Sequence, residues 1–504
     1  MRFNSTLNRI TPINPTYSKH GHPEFPPGTL RISQIETIPQ PTPNPNYTFN
    51  PDLQQILAGK QLLLDDLGMP LEEIQAHYEN GFITFRKGIE RHGKKPSCSR
   101  CGNKDPGLFA SFACSRCGEV CVYCRKCIMM GRVSECTPLI GWTGPEPSFK
   151  NPGKILEWQG TLSDGQQIAA TRAVETVRQH ASLLVWAVCG AGKTEVLFPA
   201  IEAAIADGKR TCIATPRTDV VLELAPRLKE AFPSIKIASL YGGSEDRHTY
   251  AQLTIATTHQ LLRFRQAFDT MILDEVDAFP YTMDESLQFA AEKARKLGSS
   301  IIYLTATPSR KWQAECRSGK RPYVTIPARF HRHPLPVPEF SWCGNWKKQL
   351  QKKQLPKECM RWINDRIKTG KQALVFFPHI ESMQAALPIL QKFHNRIESV
   401  HAEDPDRKEK VLRMRNGETP ILLTTTILER GVTLANIDVA VIGSEDRIFT
   451  ESALVQIAGR AGRSASYPTG TVTFFHFGKT NAMVDARKQI LSMNREGKAK
   501  GLLD

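Results

Sequence analysis

The chain has 504 residues, 40% hydrophobic and 23% charged, with a formal net charge of +16 and a pI near 9.3. That length exceeds one hydrophobic core and calls for roughly two to four domains, and no run approaches the ~18 consecutive apolar residues of a membrane helix. Residues 1–16 are polar and lack an apolar signal core, so the cytosol is the expected location, and the basic excess favours a polyanionic partner, nucleic acid first.

Residues 1–51 hold ten of the 34 prolines and no sustained apolar period, which predicts a disordered arm. From 52 to 92 the pattern becomes helix-compatible, with Leu53, Ile56, Leu57, Leu62, Leu63, Leu64 and Leu67. Eight of the 13 cysteines then fall between Cys98 and Cys136. Cys98-Ser-Arg-Cys101-Gly and Cys114-Ser-Arg-Cys117-Gly are two knuckles whose spacing resembles a zinc ribbon, where four thiolates can surround Zn²⁺ as a tetrahedron. A disulfide framework is disfavoured by the missing secretion signal. We read Cys98, Cys101, Cys114 and Cys117 as one site. Cys124 and Cys127 form a further pair that either completes a second site or replaces one knuckle, and Cys121 and Cys136 stay unassigned. The module, residues 52–153, ends in a Pro/Gly-containing connector.

From 154 the texture is short apolar runs alternating with amphipathic helices, the signature of parallel α/β sheets. Expected strands are Leu183–Val188, Thr211–Thr215, Ile235–Leu240, Leu253–Thr257, Thr270–Leu273 and Ile301–Leu304 in a first lobe (154–330). Ala373–Phe377, Ile397–Val400, Ile421–Thr425, Val439–Ile442 and Thr471–Phe475 follow in a second (331–504). Ala187, Val188, Cys189, Gly190, Ala191, Gly192, Lys193 and Thr194 fit the phosphate-binding loop, placed between a strand and a helix as the motif requires. Small residues let backbone N–H groups cradle phosphates, Lys193 reaches the β/γ phosphates of ATP, and Thr194 holds Mg²⁺. Some eighty residues on, Asp274 and Glu275 close an apolar strand, Asp274 suited to Mg²⁺ and Glu275 to the attacking water. A basic stretch, Lys347, Lys348, Lys352, Lys353, Lys357 and Arg361, flanked by Trp346 and Trp362, reads as a solvated helix face.

Further signals come in a fixed order: Gln166 before the loop, Thr215-Pro-Arg217, Thr257-Thr-His-Gln260 and Thr305-Ala-Thr307 at strand ends. Thr424-Thr425-Thr426 with Glu429 and Gly431, then Gln456-Ile-Ala-Gly-Arg460-Ala-Gly-Arg463, follow in the second lobe. This set resembles the superfamily 2 helicases and translocases over residues 160–480. The resemblance implies two RecA-like lobes, with Gln166 reading adenine and Thr305 and Thr307 coupling ATP to movement. It also implies Arg217, Thr257 and Thr425 on a nucleic-acid backbone, and Gln456, Arg460 and Arg463 closing on the γ-phosphate. A cysteine module directly N-terminal to such a motor resembles, from about residue 50 onward, the ComFA-type late-competence ATPases. That resemblance implies a single-stranded-DNA-stimulated ATPase, a possible homo-oligomer, working at the cytosolic face of a membrane DNA-uptake channel with other competence proteins. The primosome-assembly helicases are disfavoured because their cysteine knuckles interrupt the motor, and RNA helicases by Val276 and the zinc module. A zinc-dependent DNA-binding adaptor with an idle motor is opposed by the presence of Lys193, Glu275 and Arg460.

Overall fold

The computed structural model describes residues 1–504 except 19–22, 94, 150–152 and 430–433, so Gly431 lies outside the described residues. Two parallel sheets carry the α/β part. The larger has the strand order Ile237–Leu240, Leu253–Thr257, Thr211–Thr215, Phe268–Leu273, Arg295–Thr305, Ser182–Ala187 and Tyr323–Ile326. The smaller runs Glu339–Trp342, Val472–His476, Ile437–Ile442, Gln372–Phe376, Ile421–Thr424 and Glu398–Val400. Thr211–Thr215, Leu253–Thr257, Ile421–Thr424 and Ile437–Ile442 are buried along their whole length, as strands covered on both faces must be. The expected strands are all present within a few residues. Tyr323–Ile326 and Glu339–Trp342 are additional; both are short and partly exposed, so they carry little apolar signal.

The chain forms two compact units that do not follow the sequence-derived boundaries: 1–158 with 174–182 and 200–302, and 159–173 with 183–199 and 303–504. In the first unit the N-terminal module rests on a three-stranded antiparallel sheet of Gln61–Leu62, Pro138–Trp142 and Ile83–Lys87. The expectation of a disordered 1–51 arm is corrected. Phe3, Ile10 and Ile32 are fully buried, in one core with Leu53, Leu57, Ile74 and Tyr78. Arg2–Ser5 pairs with Ile10–Ile13, and Phe3 and Leu30 exchange backbone hydrogen bonds of 2.8 and 2.9 Å. The apolar residues are too widely spaced to show a period, and exposed prolines such as Pro26, Pro27, Pro43 and Pro45 stand between them. The 52–92 stretch is only partly helical. Asn50 caps Pro51–Leu57 by accepting from Asp52 and Leu53 N–H, while Gln61–Leu62 is a strand and Leu64–Asp66 a short 3₁₀ turn.

In the second unit the basic stretch divides into helices Trp346–Gln351 and Lys357–Thr369. Trp346 and Trp362 are buried in the core of the smaller sheet, whereas Lys347, Lys348, Lys352, Lys353, Lys357 and Arg361 are exposed. Their solvated reading stands.

Candidate nucleotide and metal sites

The eight clustered cysteines are all buried and form two groups, Cys98/Cys101/Cys124/Cys127 and Cys114/Cys117/Cys121/Cys136. The expected grouping of Cys98 and Cys101 with Cys114 and Cys117 is therefore corrected. The reason is a β-hairpin in which Cys114 pairs with Glu119 beside the turn and Phe109 with Cys124 at the open end. Six residues of strand, at about 3.3 Å each, carry the second knuckle away from the first and return Cys124 to it. Cys121 and Cys136 complete the second group.

Sulfur separations are 3.8 Å for Cys98–Cys127, 3.7 Å for Cys101–Cys124 and 3.6 Å for Cys114–Cys136. Four sulfurs about 2.3 Å from a tetrahedral Zn²⁺ stand about 3.8 Å apart, so both donor sets fit that ion. Sulfur hydrogen bonds within each group hold Cys127 and Cys136 below the ordinary thiol range and push Cys101 and Cys117 above it. Arg100, 2% exposed, donates Nη2 to Cys127 Sγ at 3.1 Å and to the Cys127 and Gly131 carbonyls at 2.7 and 2.6 Å. A buried cation beside a group of thiolates offsets their charge. Lys293 in turn donates to the Arg100 and Leu262 carbonyls at 2.6 and 3.0 Å.

In the second unit the Ala187–Thr194 loop joins strand Ser182–Ala187 to helix Lys193–Ala206. Gly190 and Gly192 take φ of +82° and +68°, which a side chain would strain. Gln166 is 5% exposed: its Nε2 donates to the Ala191 carbonyl at 2.8 Å, and its Oε1 accepts from Ser163 N–H at 2.8 Å. The amide thus braces the loop. The loop also meets the Gln456–Arg463 segment, where Cys189 Sγ lies 2.9 Å from Gln456 Oε1. A Cβ at Gly459 would stand 2.5 Å from Cys189 Cβ, so only glycine fits there. Arg460, 2% exposed, donates Nε to the Glu429 carbonyl at 3.0 Å, and Arg463 to that of Gly459 at 3.3 Å.

Arg329 escapes any sequence signal, standing alone between Ala328 and Phe330. It is 1% exposed, lies beside Gly190, and donates to the Gly459 and Gly462 carbonyls. Burial, reinforced by the Arg463 charge, pulls its pKa down to about 10. It thereby ties the phosphate loop to the segment that carries Arg460 and Arg463.

Thr307 N–H donates to Thr305 Oγ1 at 2.9 Å, and the Thr307 and Ser452 hydroxyls lie 2.7 Å apart. Thr425 follows strand Ile421–Thr424 and is half-buried. In the first unit, Asp274 follows strand Phe268–Leu273 and its N–H donates to the Ala214 carbonyl at 2.8 Å. Glu275 takes a left-handed φ of +53°, with its N–H on Asp274 Oδ1 at 2.8 Å. The strand therefore breaks sharply at the acid pair. A non-glycine residue in that conformation stores local strain. Arg217 is half-buried ahead of helix Thr218–Ala231, and Thr257 is buried at the end of its strand.

A phosphate loop heading a helix, strand-end acids and paired parallel sheets define a helicase-type ATPase of superfamily 2, here behind a cysteine-rich module. Residues 166–315 match the DEAD/DEAH box helicase family, 352–465 the helicase conserved C-terminal domain, and 44–141 the competence protein ComFA N-terminal domain. Competence protein ComFA of Bacillus subtilis (strain 168) is 50% identical over 449 residues, 89% of this chain and 96% of that protein. Its counterpart in Streptococcus pneumoniae (strain ATCC BAA-255 / R6) is 40% identical over 376 residues, 74% and 86% respectively. The chain belongs to the ComFA family of competence proteins. Among solved structures, RecG bound to a three-way DNA junction is similar with a TM-score of 0.48 and 18% identity, covering 68% of this chain and 47% of that one. Among the described residues no helix is long and apolar enough to cross a membrane.

Proposed function

We propose that this ATPase translocates along single-stranded DNA and drives its uptake into the cytosol during natural competence, attached to the membrane channel through other competence proteins. One observation supports the motor reading most: the bracing of the Ala187–Thr194 loop by Gln166 and by the Gln456–Arg463 segment. In this reading Lys193 holds the β/γ phosphates, and Thr194 and Asp274 hold Mg²⁺. Glu275 orients and deprotonates the water. Gln166 exchanges its loop contacts for the adenine edge. Arg460 and Arg463 leave their carbonyl partners to stabilise charge on the γ-phosphate, a role worth about 10³ to 10⁵ in rate. Arg217, Thr257 and Thr425 hold the strand by its phosphates, without regard to sequence. Both four-cysteine groups hold Zn²⁺, which would fix the short hairpins; around Cys114, Cys117, Cys121 and Cys136 the packed apolar partner is Phe112.

The test is phosphate release from ATP with no nucleic acid, single-stranded DNA, duplex DNA and RNA. Single-stranded DNA should stimulate most, and Lys193→Ala should lower the stimulated rate by at least about 10²-fold. An equal rate in Lys193→Ala identifies an idle motor serving as a DNA-binding adaptor. Equal stimulation by RNA removes the uptake assignment.

A further inference from the structure

The N-terminal sheet has a second buried face, and its chemistry is unlike that of a core. Ile140 lies opposite both Leu62 and Phe85 and shares the apolar core with them. One residue on, Gly141 lies opposite Gln61 and Thr84, and Leu139 lies opposite Arg86, so these residues occupy the other face. That face borders a cleft of about 430 Å³ shared with Arg265. Gln61 is 1% exposed, and its Nε2 has no hydrogen-bond partner. Arg86 meets no carboxylate among the described residues; burial, with the charge of the neighbouring Arg265 guanidinium adding to it, lowers its pKa to about 10. Gly141 makes room for this arrangement, since a Cβ there would stand 2.7 Å from Arg86 Nη1. Of the remaining charged residues at the cleft, Arg91 is paired with Glu135, Lys87 donates to the Glu36 carbonyl, and Glu90 accepts from Ser99.

Two half-buried guanidiniums side by side without an anion, next to a buried amide N–H without an acceptor, are unfavourable on both counts. We propose that this cleft binds a phosphate oxyanion, with Arg86 and Arg265 as its charged arms and the Gln61 amide as a further donor. A tetrahedral oxyanion accepts from two guanidinium forks at once, which a single carboxylate does less well. The phosphate has two possible sources, the backbone of a DNA strand or a free phosphate group, and the site is separate from Arg217, Thr257 and Thr425. Only the DNA source rests on the proposed function.

The test uses the full-length protein with Arg86→Gln, Arg265→Gln and the double variant. One arm measures Tm in inorganic phosphate against chloride at equal ionic strength. The other measures affinity for a fluorescent oligo-dT by anisotropy across a salt series. We expect phosphate to raise the wild-type Tm above its value in chloride and to leave the double variant unmoved. If the ligand is DNA, oligo-dT affinity falls about tenfold in the double variant, and the slope of log K against log salt shrinks by about 0.7 per lost contact. Loss of the phosphate response with unchanged oligo-dT affinity assigns the site to a free phosphate group. A wild type indifferent to phosphate, or a response equal in wild type and double variant, overturns the proposal. Should the double variant misfold, Gly141→Ala serves instead: it displaces Arg86 with every charge kept and should also abolish the response. DNA-free ATPase activity should be unchanged throughout, so a dead motor and an absent phosphate site are distinguishable.

Discussion

The two four-cysteine groups have the same donor chemistry but different attachments. The Cys98 group is fastened to the α/β part of the first unit. Lys293 grips the Arg100 carbonyl, Lys126 pairs with Asp284 at 3.2 Å, and Gly102 lies against the Phe289 ring. The Cys114 group is fastened to the N-terminal segment. Arg2 Nε donates to the Cys117 carbonyl at 2.9 Å and its guanidinium pairs with Glu119, while Gly118 lies near Pro23 and Phe25. Identical chemistry thus anchors the motor side in one case and the start of the chain in the other. A defect in each group should accordingly travel in a different direction.

The strongest way to break this comparison is to remove one ligand from each group. Cys101→Ser and Cys117→Ser should each lose about one Zn²⁺ by mass spectrometry or colorimetric release. Only Cys101→Ser should also lower the Tm of the first unit, by more than about 5 °C, and depress ATPase activity. Cys117→Ser should instead speed proteolysis within residues 1–40. Equal effects on both readouts would mean the module responds as a single body.

Replacing Arg100 by Met should come next. It strips Cys127 of its buried donor and frees the Met130 and Gly131 carbonyls. About 3 kcal/mol of stability should go, with the metal of the Cys98 group lost at lower chelator concentration. An unchanged chelator midpoint would show that Arg100 only fills space.

Lys60 provides a control that belongs to neither group. It is 3% exposed, and burial, with the Arg210, Arg263 and Arg247 charges adding to it, pushes its pKa from 10.5 to about 7. Between about pH 7 and 10.5 the unfolded chain holds a proton that the folded one has released, so stability rises with pH across that window. The slope is at most about 1.4 kcal/mol per pH unit. Lys60→Met should flatten it and raise Tm most below pH 7, as denaturant melts at several pH values will show. Smallest of all, Lys126→Met and Arg2→Met should each cost under about 1 kcal/mol in denaturant unfolding, because their ion pairs are partly exposed.

How legible each part was follows from how local it is. Ala187–Thr194 is one contiguous loop whose neighbours in sequence are its neighbours in space, so residue types alone identify it. Buried parallel strands are equally legible, because Thr211–Thr215 and Leu253–Thr257 each concentrate their burial in five residues. The cysteines were legible as candidate metal ligands but not as sets: grouping by nearest knuckle fails when a hairpin carries Cys114 away and brings Cys124 back. The N-terminal segment was misread because Phe3, Ile10 and Ile32 are buried by contacts distant in sequence, which no local period records. Arg329 and Arg86 are single cations whose meaning depends on what folds against them.

The alternation of the two ligand sets along the chain has a consequence for assembly. A metal at Cys98, Cys101, Cys124 and Cys127 closes the loop 102–123, which carries Cys114, Cys117 and Cys121. Capture at the first group would therefore remove part of the loop-closure entropy that the second must otherwise overcome. The reverse also holds, since Cys124 and Cys127 lie in the loop between Cys121 and Cys136. Metal bound at either group would therefore ease closure of the other, and no cut between Cys117 and Cys124 leaves either group whole.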